Sequence, residues 1–236
     1  MTPDQIFAAM EATWPAASAL SCGPWTIRDG RGGGKRVSAA TAHGPWAEAD
    51  ITAAETAMAA LAQPALFMIR AGEDRFDAAL HNRGYRILDP VVTYAGPVAD
   101  LARTPPDPMS TFAHWPPLAI ATQLWAEAAI GPARLAVMGR VTGAKAAILA
   151  RSLDHPTGAA FVAMAGTCAV LHALEVAPLR RRQGSARNIM RAAAAWAQDQ
   201  GAEALVLAVT QSNAPARQLY SSFGMAAVGY YHYRQK

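Results

Sequence analysis

The stretch Leu171-His172-Ala173-Leu174-Glu175-Val176-Ala177-Pro178-Leu179-Arg180-Arg181-Arg182-Gln183-Gly184-Ser185-Ala186 runs from an apolar strand through a basic turn straight into a helix pattern at Ser185–Gln198. The first amides of a helix lack intrahelical acceptors, and the aligned peptide dipoles add partial positive charge there. A turn of this kind suits a phosphate or pyrophosphate. Gly184 and Ala186 keep the turn small enough for a ligand to reach backbone, Arg181 adds a full charge, and Pro178 stops the strand from pairing further.

Downstream, the apolar strand Ala204–Val209 leads to Asn213-Ala214-Pro215-Ala216-Arg217-Gln218-Leu219-Tyr220-Ser221-Ser222-Phe223-Gly224-Met225. Asn213 is a good helix N-cap, Pro215 is tolerated in a first turn, and Gly224 suits the left-handed position that ends a helix. Tyr220 then lies about two turns into a short helix.

These two segments resemble motifs A and B of the GNAT superfamily of acyl-CoA N-acyltransferases. Motif A, Arg/Gln-x-x-Gly-x-Gly/Ala, is present as Arg181-x-x-Gly184-x-Ala186 after Leu174-x-Val176-x-Pro178. Motif B is present as the strand, the Asn, the Leu-Tyr helix and Phe223-Gly224-Met225. Arg182 departs from the pattern where many members have glycine. The resemblance is specific over Val162–Tyr233 and looser back to Ser110.

The resemblance implies an α+β fold with a mixed, mostly antiparallel central sheet flanked by helices. It implies acetyl transfer from the cosubstrate acetyl-CoA to an amine by direct attack in a ternary complex. Its cofactor residues fall on Leu174, Glu175 and Val176 at the strand edge, on Arg181, Arg182, Gln183, Gly184, Ser185 and Ala186 at the pyrophosphate, and on Asn213, Ala216 and Tyr220. Arg187 could add charge. Tyr220 matches a tyrosine that serves the departing sulfur.

The general base stays open between His172 and Glu175. Strict alternation puts His172 with Cys168 and Val170, and Glu175 on the other face with Ala169, Leu171 and Ala173. The two share a side only if the strand is bulged. The acceptor, a small-molecule or peptide amine, carries no motif. His114 and Trp115 are weaker candidates for its pocket. A non-catalytic acyl-CoA-binding regulatory module is the alternative reading.

Working outward, Arg103-Thr104-Pro105-Pro106-Asp107-Pro108 divides the chain, since neither a helix nor a central strand tolerates it. The expected domains are 1–102, a degenerate GNAT-like half, and 108–236, the catalytic half. The first half reads as a helix at Pro3–Thr13, a hairpin of Trp25–Arg28 with Arg36–Ala39, a helix at Ala47–Ala62, a strand at Ala65–Arg70, a helix at Phe76–Asn82 and a strand at Val91–Ala95. Gly30–Gly34 fails the P-loop spacing and reads as the flexible hairpin turn. The second half reads as a helix at Leu118–Ala129, then strands at Arg134–Val141, Ala146–Ala150, Ala159–Ala165 and Cys168–Val176, with a final strand at Ala226–Arg234. The first half has no counterpart of Arg181–Ala186, so no cofactor is expected on residues 1–100.

Composition narrows the classes. The net charge is only +4, and five of the arginines fall between Arg180 and Arg191, which suits an anionic small ligand better than nucleic acid. Cys22 and Cys168 have no metal-ligand spacing, so neither a zinc site nor a disulfide scaffold is expected. Met1–Met10 lacks the basic start of a signal peptide, and no apolar run is long enough to span a bilayer. A cytoplasmic enzyme without metal or membrane partner is the expectation, with a homodimer left open.

Overall fold

Eleven strands and eight α-helices alternate along the computed structural model, which describes residues 1–236. The first half contains α1 (Pro3–Ala12), β1 (Ser18–Cys22), β2 (Trp25–Asp29), β3 (Thr41–Ala42), α2 (Glu48–Ala60), β4 (Leu66–Arg70), α3 (Asp74–Asn82), β5 (Arg86–Pro97) and α4 (Val98–Leu101). The second contains β6 (Thr111–His114), α5 (Ala119–Glu127), α6 (Pro132–Arg140), β7 (Lys145–Ser152), β8 (His155–Ala165), β9 (Cys168–Val176), α7 (Ser185–Asp199), β10 (Ala204–Thr210), α8 (Ala214–Ser222) and β11 (Ala226–Gln235).

One eight-stranded sheet runs in the order β4-β11-β5-β10-β9-β8-β7-β6, beside a small sheet of β1, β2 and β3. Within the large sheet only β9 and β10 pair in parallel; every other neighbour is antiparallel. The α+β fold with a mixed, mostly antiparallel sheet is therefore as expected.

The sheet crosses the expected boundary between residues 102 and 108. The units β4-α3-β5 and β10-α8-β11 are built alike, each a strand, a short helix ended by Gly84 or Gly224, and a long strand. Their last strands are exchanged: β5 lies between β10 and β11, and β11 lies between β4 and β5. The two halves thus share one sheet. A Ser110–Lys236 fragment would leave β11 with neither neighbour and strip β5 from β10. We expect it to show no cooperative thermal unfolding by circular dichroism; a cooperative melt would contradict this account.

The proline-rich joint is pinned rather than free. The Asp107 amide donates to Asn188 Oδ1 at 3.2 Å, Asn188 Nδ2 donates to Asp107 Oδ2 at 3.0 Å, and Arg191 pairs with the same carboxylate at 3.4 Å. Helix α7 covers the sheet through a stripe of Ile189, Met190, Ala193, Ala194 and Ala197, packed against Ile148, Val162, Leu171 and Leu205. Its alanines let the helix lie close to the strands.

Two expected elements are corrected. Arg134–Val141 is not a strand but most of α6, which starts with Pro132 in its first turn. Leu135-Ala136-Val137-Met138 satisfies either period, and the preceding Gly131-Pro132 start decides for the helix. The hairpin of Trp25–Arg28 with Arg36–Ala39 is also wrong. β2 pairs instead with β1 through a turn at Gly23-Pro24, and Lys35–Val37 is a 3-10 turn. Strand β1 is almost wholly exposed and carries no alternating signal. Gly30–Gly34 packs on α6, so closely that a Cβ at Gly33 would come within 2.6 Å of Val137 Cγ2.

Candidate active site

Strands β9 and β10 pair only from Cys168↔Ala204 to Leu171↔Leu207. Beyond that, β9 stays with β8 while β10 stays with β5 as far as Thr210↔Val91, so the two strands diverge. The wedge between them opens into a cleft of about 920 Å³, a volume in the range of ligand sites. Its walls include Leu171–Val176 and Leu207–Thr210. The edge of β9 beyond Leu171 offers unpaired backbone to an extended amide-bearing ligand.

The bulge left open by the sequence is present. Ala173 has φ +50°, and the β8–β9 register shifts between Ala159↔Glu175 and Phe161↔His172. The extra residue sets Leu171 and Leu174 three apart on the face covered by α7. His172 and Glu175 consequently fall on the same face, opposite to strict alternation. Trp125 Nε1 donates to the carbonyl of Ala173 at 2.8 Å and holds the bulge in place.

At the basic end, Gly184 is the N-cap of α7 with φ +87°, a left-handed conformation that favours glycine, and no side chain caps the helix. No carbonyl within the chain accepts from the amides of Gln183 to Arg187. Ser185 Oγ is buried without a partner, another donor that fits phosphate oxygen. Arg180, Arg181, Arg182 and Arg187 line this end, and Arg181 Nε also donates to the carbonyl of Val176 at 3.2 Å. The donors present therefore fit the diphosphate of a CoA. Leu174, Glu175, Val176, Arg181, Arg182, Gly184, Ser185, Ala186, Asn213, Ala216 and Tyr220 all line the one cleft. Gln183 does not, so only its amide remains to serve a ligand. Asn213 Oδ1 caps α8 by accepting from the Ala216 amide at 3.2 Å.

Tyr220 is 6% exposed, its ring tilted against Tyr94 at 5.8 Å. The hydroxyl has no partner in the chain and is not sealed from the cleft. Burial, with the Glu175 charge adding to it, pushes the phenol up to about 12. Glu175 is itself raised above the ordinary carboxylate range by burial, while Arg181 and Arg134 pull it back. The Glu175 charge is thus felt at the Tyr220 phenol, and both groups line the cleft.

His172, one of the two candidates for the base, has both ring nitrogens engaged within the chain. Its Nδ1 lies 3.1 Å from Arg36 Nη1 and its Nε2 2.9 Å from Thr13 Oγ1, which in turn donates to the Ala9 carbonyl at 2.7 Å. A guanidinium only donates, so Nδ1 is the acceptor and Nε2 carries the hydrogen. No lone pair is left for a substrate proton. Burial and the nearby Arg36 charge lower its pKa well below 6.5, so the ring is neutral. Nor do His114 and Trp115 reach the cleft: His114 Nε2 accepts from the Leu118 amide at 3.1 Å, and Trp115 lies under Lys145.

The cleft also holds residues that local sequence did not reveal. Gly33, Gly34, Lys35 and Arg36 arrive from the glycine loop, Asp89 and Val91 from β5, Arg134 from α6, and Tyr231 and Tyr233 from β11. No sequence motif marks them, because long-range packing alone assembles them.

Comparison with known proteins agrees with this geometry. Residues 105–225, just over half of the chain, match the family model of the acetyltransferase (GNAT) family. No curated protein matches the chain by sequence. Among solved structures, a GCN5-related N-acetyltransferase from Kribbella flavida shares 18% identity with a TM-score of 0.71, covering 100% of this chain and 96% of that one. A conserved protein of unknown function from Staphylococcus epidermidis shares 10% at a TM-score of 0.71, with 94% of each chain covered. A tandem GNAT protein from the clavulanic acid biosynthesis pathway shares 12% at 0.62, covering 84% of this chain and 74% of that one. At such identities the likeness establishes the fold.

Proposed function

The chain belongs to the acetyltransferase (GNAT) family, and we propose that it transfers an acetyl group from acetyl-CoA to a primary amine of a small molecule or protein, by direct attack in a ternary complex. The observation that carries this reading is the single cleft joining the uncapped start of α7, the bulged edge of β9, Tyr220 and Glu175. Acetyl-CoA would supply an activated thioester whose leaving group is a thiolate.

The residues divide the work. The amides of Gly184, Ser185 and Ala186, with Arg181 and Arg182, hold the diphosphate, each charge-assisted bond contributing about 1.5–3 kcal/mol. The edge of β9 at Leu174–Val176 aligns the pantetheine arm, and Asn213 and Ala216 bound its other side. Glu175 accepts the proton lost by the attacking amine. Tyr220 stabilises the departing sulfur by a hydrogen bond. Full transfer from a phenol near 12 to a thiolate near about 8.5 would be uphill by roughly 5 kcal/mol. Protonation of Glu175 removes the negative charge that raises Tyr220, so the phenol becomes a better donor as the amine loses its proton.

Tyr220→Phe is expected to lower kcat about 10- to 100-fold while leaving the Kd for acetyl-CoA within about twofold, since the ring packing on Tyr94 survives. Steady-state kinetics with calorimetry would read both numbers. Initial rates at varied acetyl-CoA and amine test the ternary complex. Intersecting reciprocal plots are expected; parallel lines, the mark of a covalent acyl-enzyme, would overturn direct attack.

A further inference from the structure

Resting on the acetyl-transfer reading, we infer that the acceptor is an amine carrying a carboxylate, an amino acid being the plainest class, and that Arg36 binds that carboxylate at the end of the cleft opposite the diphosphate site. The acceptor end contains three cations and two carboxylates. Lys35 is paired with Asp89 at 2.9 Å, and Arg134 lies close enough to Glu175 to favour its charged form. Arg36 alone has no carboxylate. Its Nη1 donates to His172 Nδ1, its Nε is buried without an acceptor, and the phenols of Tyr231 and Tyr233 lie beside it. Arg36 is only half-buried and lines the cleft, so a guanidinium with no carboxylate beside it is placed to take up an anion from a ligand.

The support behind Arg36 points the same way. Ala9 O, Thr13 Oγ1 and His172 form an unbroken hydrogen-bonded chain that ends on Nη1. Trp14 and Phe161 flank the His172 ring at 5.0 and 6.2 Å. His172 is thus a positioning residue: it fixes the guanidinium through its one free lone pair and stays neutral, so it adds no repulsion. His172 and Glu175 share the bulged face of β9, so a carboxylate on Arg36 sets the attached amine toward Glu175. The lining phenols suit the second carboxylate oxygen.

The test uses the full chain and pairs each substrate with its uncharged twin. α-Amino acids of each side-chain class and β-alanine are assayed against their carboxamides, with acetyl-CoA binding measured separately by calorimetry. The acids are expected to exceed the amides in kcat/KM by about 100-fold, through acceptor KM more than kcat. In Arg36→Gln that preference should fall to about one, with acetyl-CoA affinity unchanged. Arg36→Lys keeps the charge for folding but loses the planar fork, and should lower the preference about tenfold. His172→Asn should lower it too, without moving the acidic limb of the pH profile. Equal rates for acids and amides overturn the proposal, as does a panel silent in both forms while acetyl-CoA binds. So does an undiminished preference in folded Arg36→Gln or Arg36→Lys protein. Failure to bind acetyl-CoA would instead strike the acetyl-transfer reading itself.

Discussion

Glu175→Gln is expected to lower kcat by about 10²- to 10⁴-fold, the usual contribution of a positioned general base. The variant keeps the shape and the backbone of the bulge, so the Kd for acetyl-CoA should stay within about threefold. The pH dependence separates a base from a merely structural carboxylate. Glu175 must be ionised to accept a proton, and burial holds it above the ordinary carboxylate range. Wild-type kcat therefore falls as pH drops through that raised pKa. In the glutamine variant this limb should disappear, replaced by a rate that climbs about tenfold per pH unit toward the amine's own pKa, near about 10.4 for an alkylamine. A small loss with the acidic limb intact would return the search for the base to other groups of the cleft.

Gly184→Glu is expected to weaken acetyl-CoA binding by at least about 100-fold by calorimetry. Two effects add. A side chain at φ +87° costs roughly 1–2 kcal/mol in a left-handed conformation, a cost that binding bears when the ligand-free turn relaxes out of it. A carboxylate about 5 Å from a phosphate charge adds roughly 3 kcal/mol of repulsion at an effective dielectric near 20. Gly184→Ala carries the first effect without the second. Space is open around that position, so the alanine variant isolates the backbone contribution. It should bind about tenfold more weakly than wild type, and a comparable loss in both variants would place the diphosphate elsewhere.

The basic turn before α7 and the start of α8 were readable because they are local. Arg181 to Ala186 and Asn213 to Tyr220 each lie within one turn-and-helix unit, whose caps and charges are written in consecutive residues. Strand β9 was readable in extent but not in facing. Nothing in Leu171-His172-Ala173-Leu174 marks Ala173 as the bulged residue, so the shared face of His172 and Glu175 emerged only with the register to β8. Arg134–Val141 misled because a run of apolar residues fits both periods. The sheet that runs across the proline-rich joint was not legible for a deeper reason. Pro105-Pro106 does interrupt regular structure, but the pairing of β5 with β10 and β11 is a long-range choice that composition does not encode. The end of the cleft around Arg36 is the least legible part. Arg36 sits in a glycine-rich turn and Tyr231 in an aromatic strand, and only the exchange of last strands, with the glycine loop seated on α6, brings them together.

The central claim is that this cleft moves an acetyl group from a thioester to an amine. The most direct measurement follows free CoA thiol and acetylated amine together, over many turnovers, for the wild-type chain with acetyl-CoA and a panel of amines. One thiol released per amine acetylated, dependent on both substrates, is the predicted result. A folded protein that binds acetyl-CoA yet releases thiol at the same rate with and without every amine would contradict the account.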